Sequence, residues 1–299
     1  EHKRGINATY AKFETFPIWN LPLKHPVNIS YEAATAELRD VNMIDHFHLE
    51  AYNEKTINYN RDIEAFPLLQ RILEKITGEP SYYKSPTDMG VNRAGFAIIN
   101  DDAVRDASNQ EIIRRYFRYS CEYALGLCDR ETVQRVELLM KDMGLKPEDR
   151  KVVIYAREAS ETAKIKNKGN KGIYSGASIE LPDGQIIQGY NSQLMHSASS
   201  VVLNAAKKMA GIPAQIDLLP SHILNSLMSF KKEIIQSSPL SLDLEETLIA
   251  LAISGTTNPG AEAAVQKLKD LAGCEIHLTH MPTPGDAAGL RKLSLNVTS

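Results

Sequence analysis

Cysteine is nearly absent from this sequence. Cys121, Cys128 and Cys274 are the three in 299 residues, and their wide spacing argues against a disulfide framework. No apolar run approaches the ~18 residues of a membrane span. No apolar stretch follows the charges of Glu1-His2-Lys3-Arg4-Gly5 either, so a secretory signal is not expected and a cytoplasmic location is. The chain starts without Met, as a processed product or a fragment would. Neither sign of charge dominates: 34 Lys and Arg against 37 Asp and Glu leave a net charge of −3. Without a basic excess to displace counterions, no nucleic-acid partner is expected. The Asn-x-Ser/Thr triplets at Asn7, Asn28 and Asn296 read as chance matches in a chain without a secretion signal.

Several chemical signatures are missing as well. There is no G-x-x-x-x-G-K-[ST], no G-x-G-x-x-G, no G-x-S-x-G and no H-E-x-x-H. A zinc deaminase would need H-x-E with P-C-x-x-C, which the chain also lacks. Cys274-x-x-His277-x-x-His280 has the residue types for zinc, but on a strand 274 and 277 face opposite sides. No metal site is therefore assigned, and no cofactor is named.

What is present suits a folded protein. Hydrophobic residues make up 43% of the chain, and the length predicts two or three domains. The fold class expected is α/β with mixed α and β elements, in three regions: 1–100 as the C-terminal part of a nucleotide-type α/β domain, 101–149 as a helical hairpin insert, and 150–299 as a C-terminal α/β domain. Tyr31–Leu38 reads as a short helix capped by Ser30. Apolar spacing predicts a helix over Arg61–Ile76, kinked or broken at Pro67 and ended by Gly78. Ala94–Ile99 reads as a buried strand. Asp102–Leu125 and Arg130–Met143 read as paired helices. The β-branched run Lys151–Ala156 reads as a core strand, and Ser178–Leu181 with Gln185–Tyr190 as a hairpin about Pro182-Asp183-Gly184. Helices near Ser197–Ala210, Pro220–Ser237, Leu244–Ser254 and Pro259–Ala272 follow, with strands near Glu275–Thr279 and Ser294–Val297.

Long irregular segments carry a family resemblance. They include Tyr10-Ala-Lys-Phe-Glu-Thr-Phe-Pro-Ile-Trp-Asn, Asp40-Val-Asn-Met-Ile-Asp45, Asn58-Tyr-Asn-Arg-Asp-Ile-Glu64 and Ser85-Pro-Thr-Asp-Met-Gly-Val-Asn92. On these the chain resembles the bacterial domain-of-unknown-function 1846 family. The resemblance runs through the whole chain and is densest before residue 100. It implies longer relatives whose N-terminal α/β portion holds a glycine-rich segment like a phosphate-binding loop. Against them this chain looks like the C-terminal three-fifths. It also implies that His46 departs from the family's usual proline.

The same segments supply the candidate site. Asp45-His46-Phe47-His48-Leu49-Glu50 is the densest run of potential ligands; if extended, His46 and His48 would point the same way. The alternative is a His48 held by hydrogen bonds beside a carboxylate. Asn58-Tyr59-Asn60-Arg61-Asp62 sets a rigid cation and an acid at a helix start, fit either to clamp an anion or to tie down the loop. Lys84–Asn92 is a polar turn that could bind an anion or simply cap a strand. The catalytic candidates are Asp45, His48, Asp62 and Asp88. The ligand-binding candidates are Lys12, Asn60, Arg61, Lys84, Ser85, Thr87 and Asn92. Ser254–Gly260 reads as ordinary capping by Asn258 and Pro259. Lys164, Lys166, Lys168 and Lys171 read as a peripheral basic flap. The function expected is an enzyme or enzyme fragment binding a phosphorylated or anionic small molecule. The alternative is a non-catalytic structural, regulatory or oligomerisation module, and a homo-oligomer is compatible with either.

Overall fold

The structure is a computed structural model that describes residues 17–236 and 240–299. It is mixed α and β and divides into two units, Glu1–Lys146 and Pro147–Ser299. No helix among the described residues is long and apolar enough to cross a membrane.

In the first unit, α1 (Pro26–Ala34) begins five residues before the expected Tyr31. Pro26 pre-sets the first helical φ, and the His25 ring caps Val27 N–H. Ser30 is no cap; it donates to Val27 O from inside the helix. Strand β1 (Asn42–Ile44) leads into α2 (His46–Tyr52) and returns as β2 (Ile57–Tyr59), antiparallel to β1. Helix α3 (Asn60–Thr77) runs unbroken through Pro67, where a kink or a break was expected. Ala94–Ala97 is a 3-10 turn rather than a buried strand, and Phe96 and Ile99 are exposed. The apolar run misleads there because no sheet edge among the described residues receives it.

Helices α4 (Asp101–Ala124) and α5 (Arg130–Asp142) form the expected hairpin, turned by Gly126 at φ +73. They bury Ile112, Ile113, Tyr119, Val133 and Val136 against Ile29 and Ala33 of α1, one continuous core. The Tyr119 hydroxyl donates to Ala34 O across it.

The second unit opens with α6 (Lys151–Ile165), where a strand was expected. Val152, Val153, Ala156, Ala159 and Ala163 are its buried positions, a helical spacing with small residues. That face wins over the strand preference of Val152-Val153-Ile154, because the alanines let the helix lie close on a sheet. Strands β3 (Gly176–Glu180) and β4 (Ile186–Tyr190) form the expected hairpin, with Gly184 at φ +80 in its turn.

After it come α7 (Ser197–Met209), α8 (Ser221–Phe230), α9 (Leu244–Gly255) and α10 (Pro259–Lys267). Strand β5 (Glu275–Leu278), α11 (Pro284–Lys292) and β6 (Asn296–Thr298) complete the unit. The sheet order is β4-β3-β5-β6, antiparallel except for the β5–β6 pair.

Register shows what covers each face. A Cβ on Gly176 would lie 2.1 Å from Ala156 O of α6, and one on Gly189 2.4 Å from Val201 N of α7. Gly189 pairs with Ala177, the residue after Gly176, so the two glycines point to opposite faces. Helix α6 therefore covers one face and α7 the other. On the α7 side Ala177, Ile179, Ile276 and Leu278 pack with Val201, Val202, Leu244 and Leu290.

Candidate functional site

Six of the sequence candidates meet in the first unit. Asp45, fully buried, caps α2 by accepting from His48 N–H at 3.0 Å. Its other oxygen accepts from Thr87 N–H at 3.1 Å and Thr87 Oγ1 at 2.6 Å. His48 Nδ1 lies 2.9 Å from Ser85 Oγ, which also accepts from Asp88 N–H. Asp88 Oδ2 accepts from the N–H groups of Lys84 and Ser85 and from the Tyr52 hydroxyl. The Lys84 ammonium sits 5.6 Å from the Tyr52 ring centre.

Because α2 starts at His46, that residue and His48 lie about 200° apart around a helix, so the extended geometry that would have aimed both at one metal does not form.

The others stand elsewhere. Asn60 Oδ1 accepts from Val41 N–H, and Arg61 pairs with the buried Asp40 at 3.3 Å. Asp62 lies in the first turn of α3. Asn92 donates to the Tyr31 hydroxyl and caps Ala94 N–H. Lys12 lies outside the described residues.

A second constellation, in the other unit, was not among the sequence candidates. His196 is the N-cap residue of α7, and its Nδ1 lies 2.7 Å from Asp286 Oδ2. Asp286 is completely buried in the first turn of α11. Its Oδ2 also accepts from Thr283 Oγ1 at 2.7 Å, and its Oδ1 from Leu244 N–H at 3.0 Å. One carboxylate thus ties together the starts of α7, α9 and α11.

The hydrogen bond and charge of Asp286 raise the His196 pKa above its ordinary value, against burial. A helix N-terminus opposes an imidazolium by about 0.3–1 kcal/mol at the surface. The charge-assisted bond to a buried carboxylate is the stronger effect. Burial alone would raise Asp286, but its bonds to His196, Thr283 and Leu244 hold it below the usual carboxylate range.

This pair borders a cavity of about 300 Å³, lined by Ser175, Asn191, His196, Ser241, His280 and Thr283 among others. Asn191 frames it: its Oδ1 accepts from Ser175 N–H and its Nδ2 donates to Ile173 O. Lys171, read from sequence as peripheral, also lines it. No side chain caps α7, so the N–H groups of its buried first residues, Ser197, Ala198 and Ser199, receive none there. Nδ1 of His196 is taken by Asp286, and among the described residues Nε2 has no hydrogen-bond partner, on a residue that lines the cavity.

The sequence held one local signal for this site: Thr283-Pro-Gly-Asp286 has the spacing of an N-cap pair. What it could not show is that Asp286 meets His196 ninety residues away.

The fold and cavity together define a two-unit α/β protein in whose second unit the starts of α7 and α11 border a small cavity. The chain belongs to the DUF1846 family. The family model described as "Domain of unknown function DUF1846, N-terminal" matches residues 1–144, and the one described as "Domain of unknown function DUF1846, C-terminal" matches 148–299. A "UPF0371 protein" of Clostridium tetani (strain Massachusetts / E88) is 52% identical over 299 residues, 100% of this chain and 59% of that protein. One from Clostridium botulinum (strain Alaska E43 / Type E3) is 52% identical over 298 residues with the same shares. The chain spans about three-fifths of the length of these relatives.

Proposed function

We propose that the 147–299 unit binds a small anionic molecule in this cavity and moves a proton at His196 Nε2. The observation that carries this reading is the His196–Asp286 pair. A fully buried carboxylate, locked by a hydroxyl and a backbone N–H, fixes one face of an imidazole whose other nitrogen meets a cavity. Such an arrangement holds the tautomer with the proton on Nδ1 and supports an imidazolium when Nε2 takes a proton. General acid–base help of this type is worth ~10²–10⁴ in rate.

The preference for an anion rests on the uncapped start of α7 and on Lys171, which lines the same cavity. In this reading the Asp45–Thr87 and His48–Ser85 contacts brace the first unit, joining α2 to the turn that follows α3.

The test is thermal unfolding of the chain with inorganic phosphate, sugar phosphates and nucleotides, beside His196→Asn. A bound ligand at a hundred times its Kd stabilises by about 2.7 kcal/mol, a shift of several degrees. A shift in the wild type that His196→Asn loses supports the reading. No shift with any of them, or the same shift in the variant, overturns it.

A further inference from the structure

A second histidine borders the same cavity in a different electrostatic state. His280 follows β5, and the Thr279 before it is pinned to the start of β3: Thr279 N–H donates to Gly176 O, and Thr279 Oγ1 accepts from Gly176 N–H. That anchor leaves His280 beside Ser175 and His196 on the cavity wall.

Nδ1 of His280 is buried and has no hydrogen-bond partner. Nε2 is not among the buried unpartnered atoms and makes no bond to the described residues, so it is the ring nitrogen left to meet a ligand in the cavity that His280 lines. This asymmetry selects a tautomer. A bare lone pair in a dry site costs less than a bare N–H, so the single proton belongs on Nε2. A second proton would have to sit on Nδ1, facing nothing. Burial, and then the charge of nearby His196, keep the His280 pKa below its ordinary value, although Asp286 pulls the other way.

We propose that His280 is an uncharged hydrogen-bond donor to the ligand, its Nε2–H holding an oxygen of a small carboxylate or phosphate ester while His196 exchanges a proton with the same molecule. The proposal rests on the reading of the cavity as a ligand site. It divides the work between two histidines that one structure holds in different states: His196 anchored by a buried carboxylate, His280 with no acceptor for a second proton. Two imidazoles of like chemistry, set apart in this way, supply a titrating group and a fixed dipole in one pocket.

The experiment uses the full chain. Dissociation constants for inorganic phosphate and for lactate are measured with wild type, His280→Gln, His280→Leu and His196→Asn, and the histidine ring nitrogens are followed by ¹⁵N NMR from pH 5 to 8. Gln keeps an N–H near the place of Nε2 and is expected to bind within about threefold of wild type. Leu removes the donor and is expected to weaken binding about tenfold or more, the loss of one hydrogen bond to a charged group.

The wild-type spectrum is expected to show His280 neutral, with its proton on Nε2. Preference for phosphate or for lactate tells which oxyanion the donor serves. Unchanged binding by His280→Leu, or a proton on Nδ1 of His280, overturns the donor role and leaves the His196 reading standing. Wild-type protein that binds neither probe overturns the donor role, and the cavity reading falls with it when the sugar phosphates and nucleotides also give no thermal shift. If His280→Leu does not fold, the wild-type tautomer decides.

Discussion

Arg150 carries a full charge with 1% of its surface exposed. Its guanidinium pairs with Glu275 and donates to Thr298 Oγ1, Ile276 O and Asn296 O, so each of its three nitrogens has a partner. Removing one partner of such a cluster leaves the rest desolvated and unpaired, which costs about 3–5 kcal/mol. Arg150→Ala is expected to lower the unfolding free energy by that amount in urea titration.

Asp286 makes a comparable case with a pH signature. His196, raised when folded, contributes stability that is fully present below its unfolded value near 6.5 and is lost as pH rises through the folded value. Asp286, lowered when folded, contributes stability that is present above its unfolded value near 3.8 and is lost as pH falls through the folded one. The gap between wild type and Asp286→Asn is expected to be widest between about pH 4 and 6.5 and to narrow on both sides. Urea midpoints from pH 3 to 9 measure it, and a pH-independent gap would contradict the pairing. At this scale the sequence was legible where a residue acts on its near neighbours. Asn258 caps α10 as its Asn-Pro-Gly context predicts, accepting from Gly260 and Ala261 N–H. Partners 90 or 125 positions apart, as in His196–Asp286 and Arg150–Glu275, have no local trace.

Elements were legible when one period dominated. The β3–β4 hairpin has its turn chemistry and its alternation in agreement. Helix α6 did not: its first residues have strand propensity, and the alanines that decide for helix sit on the turns that follow. Those alanines matter because Gly176 brings the sheet against them. Gly176→Ala would set its Cβ 2.1 Å from Ala156 O and 2.4 Å from Ser160 N, both backbone atoms that cannot swing aside. The substitution is expected to cost several kcal/mol, beyond the ~1–3 kcal/mol typical of overpacking, and to lower Tm strongly in calorimetry. Gly184→Ala, whose added Cβ would meet nothing within 4 Å, is expected to cost less, through backbone strain at φ +80 alone.

Across the whole molecule, each unit holds its own apolar core, one around Ile112 and Val136, the other around Ile179 and Ile276. Residues 147–299 expressed alone are therefore expected to fold cooperatively, with the helical circular dichroism of that unit; a chain without a thermal transition would refute this. Acid sensitivity belongs to the same unit. Burial, with Arg150 and Arg157 adding charge, depresses the His277 pKa to about 3. The stability this neutral ring contributes is present above about pH 6.5 and is lost progressively as pH falls towards 3, at up to about 1.4 kcal/mol per pH unit. His277→Gln is expected to flatten that slope.

The single carboxylate that receives α7, α9 and α11 has a kinetic corollary. Local opening at the start of α11 carries Asp286 away from both α7 and α9, and opening at either of those starts breaks one of its bonds. Amide exchange at Leu244 should consequently report on the whole knot rather than on the fraying of α9, slowing together with exchange along the first turns of α7 and α11. A molecule that settles beside His196 would then register as lengthened exchange lifetimes on three separate helices at once, a correlated time signature of occupancy readable in the intact protein before any chemistry is known.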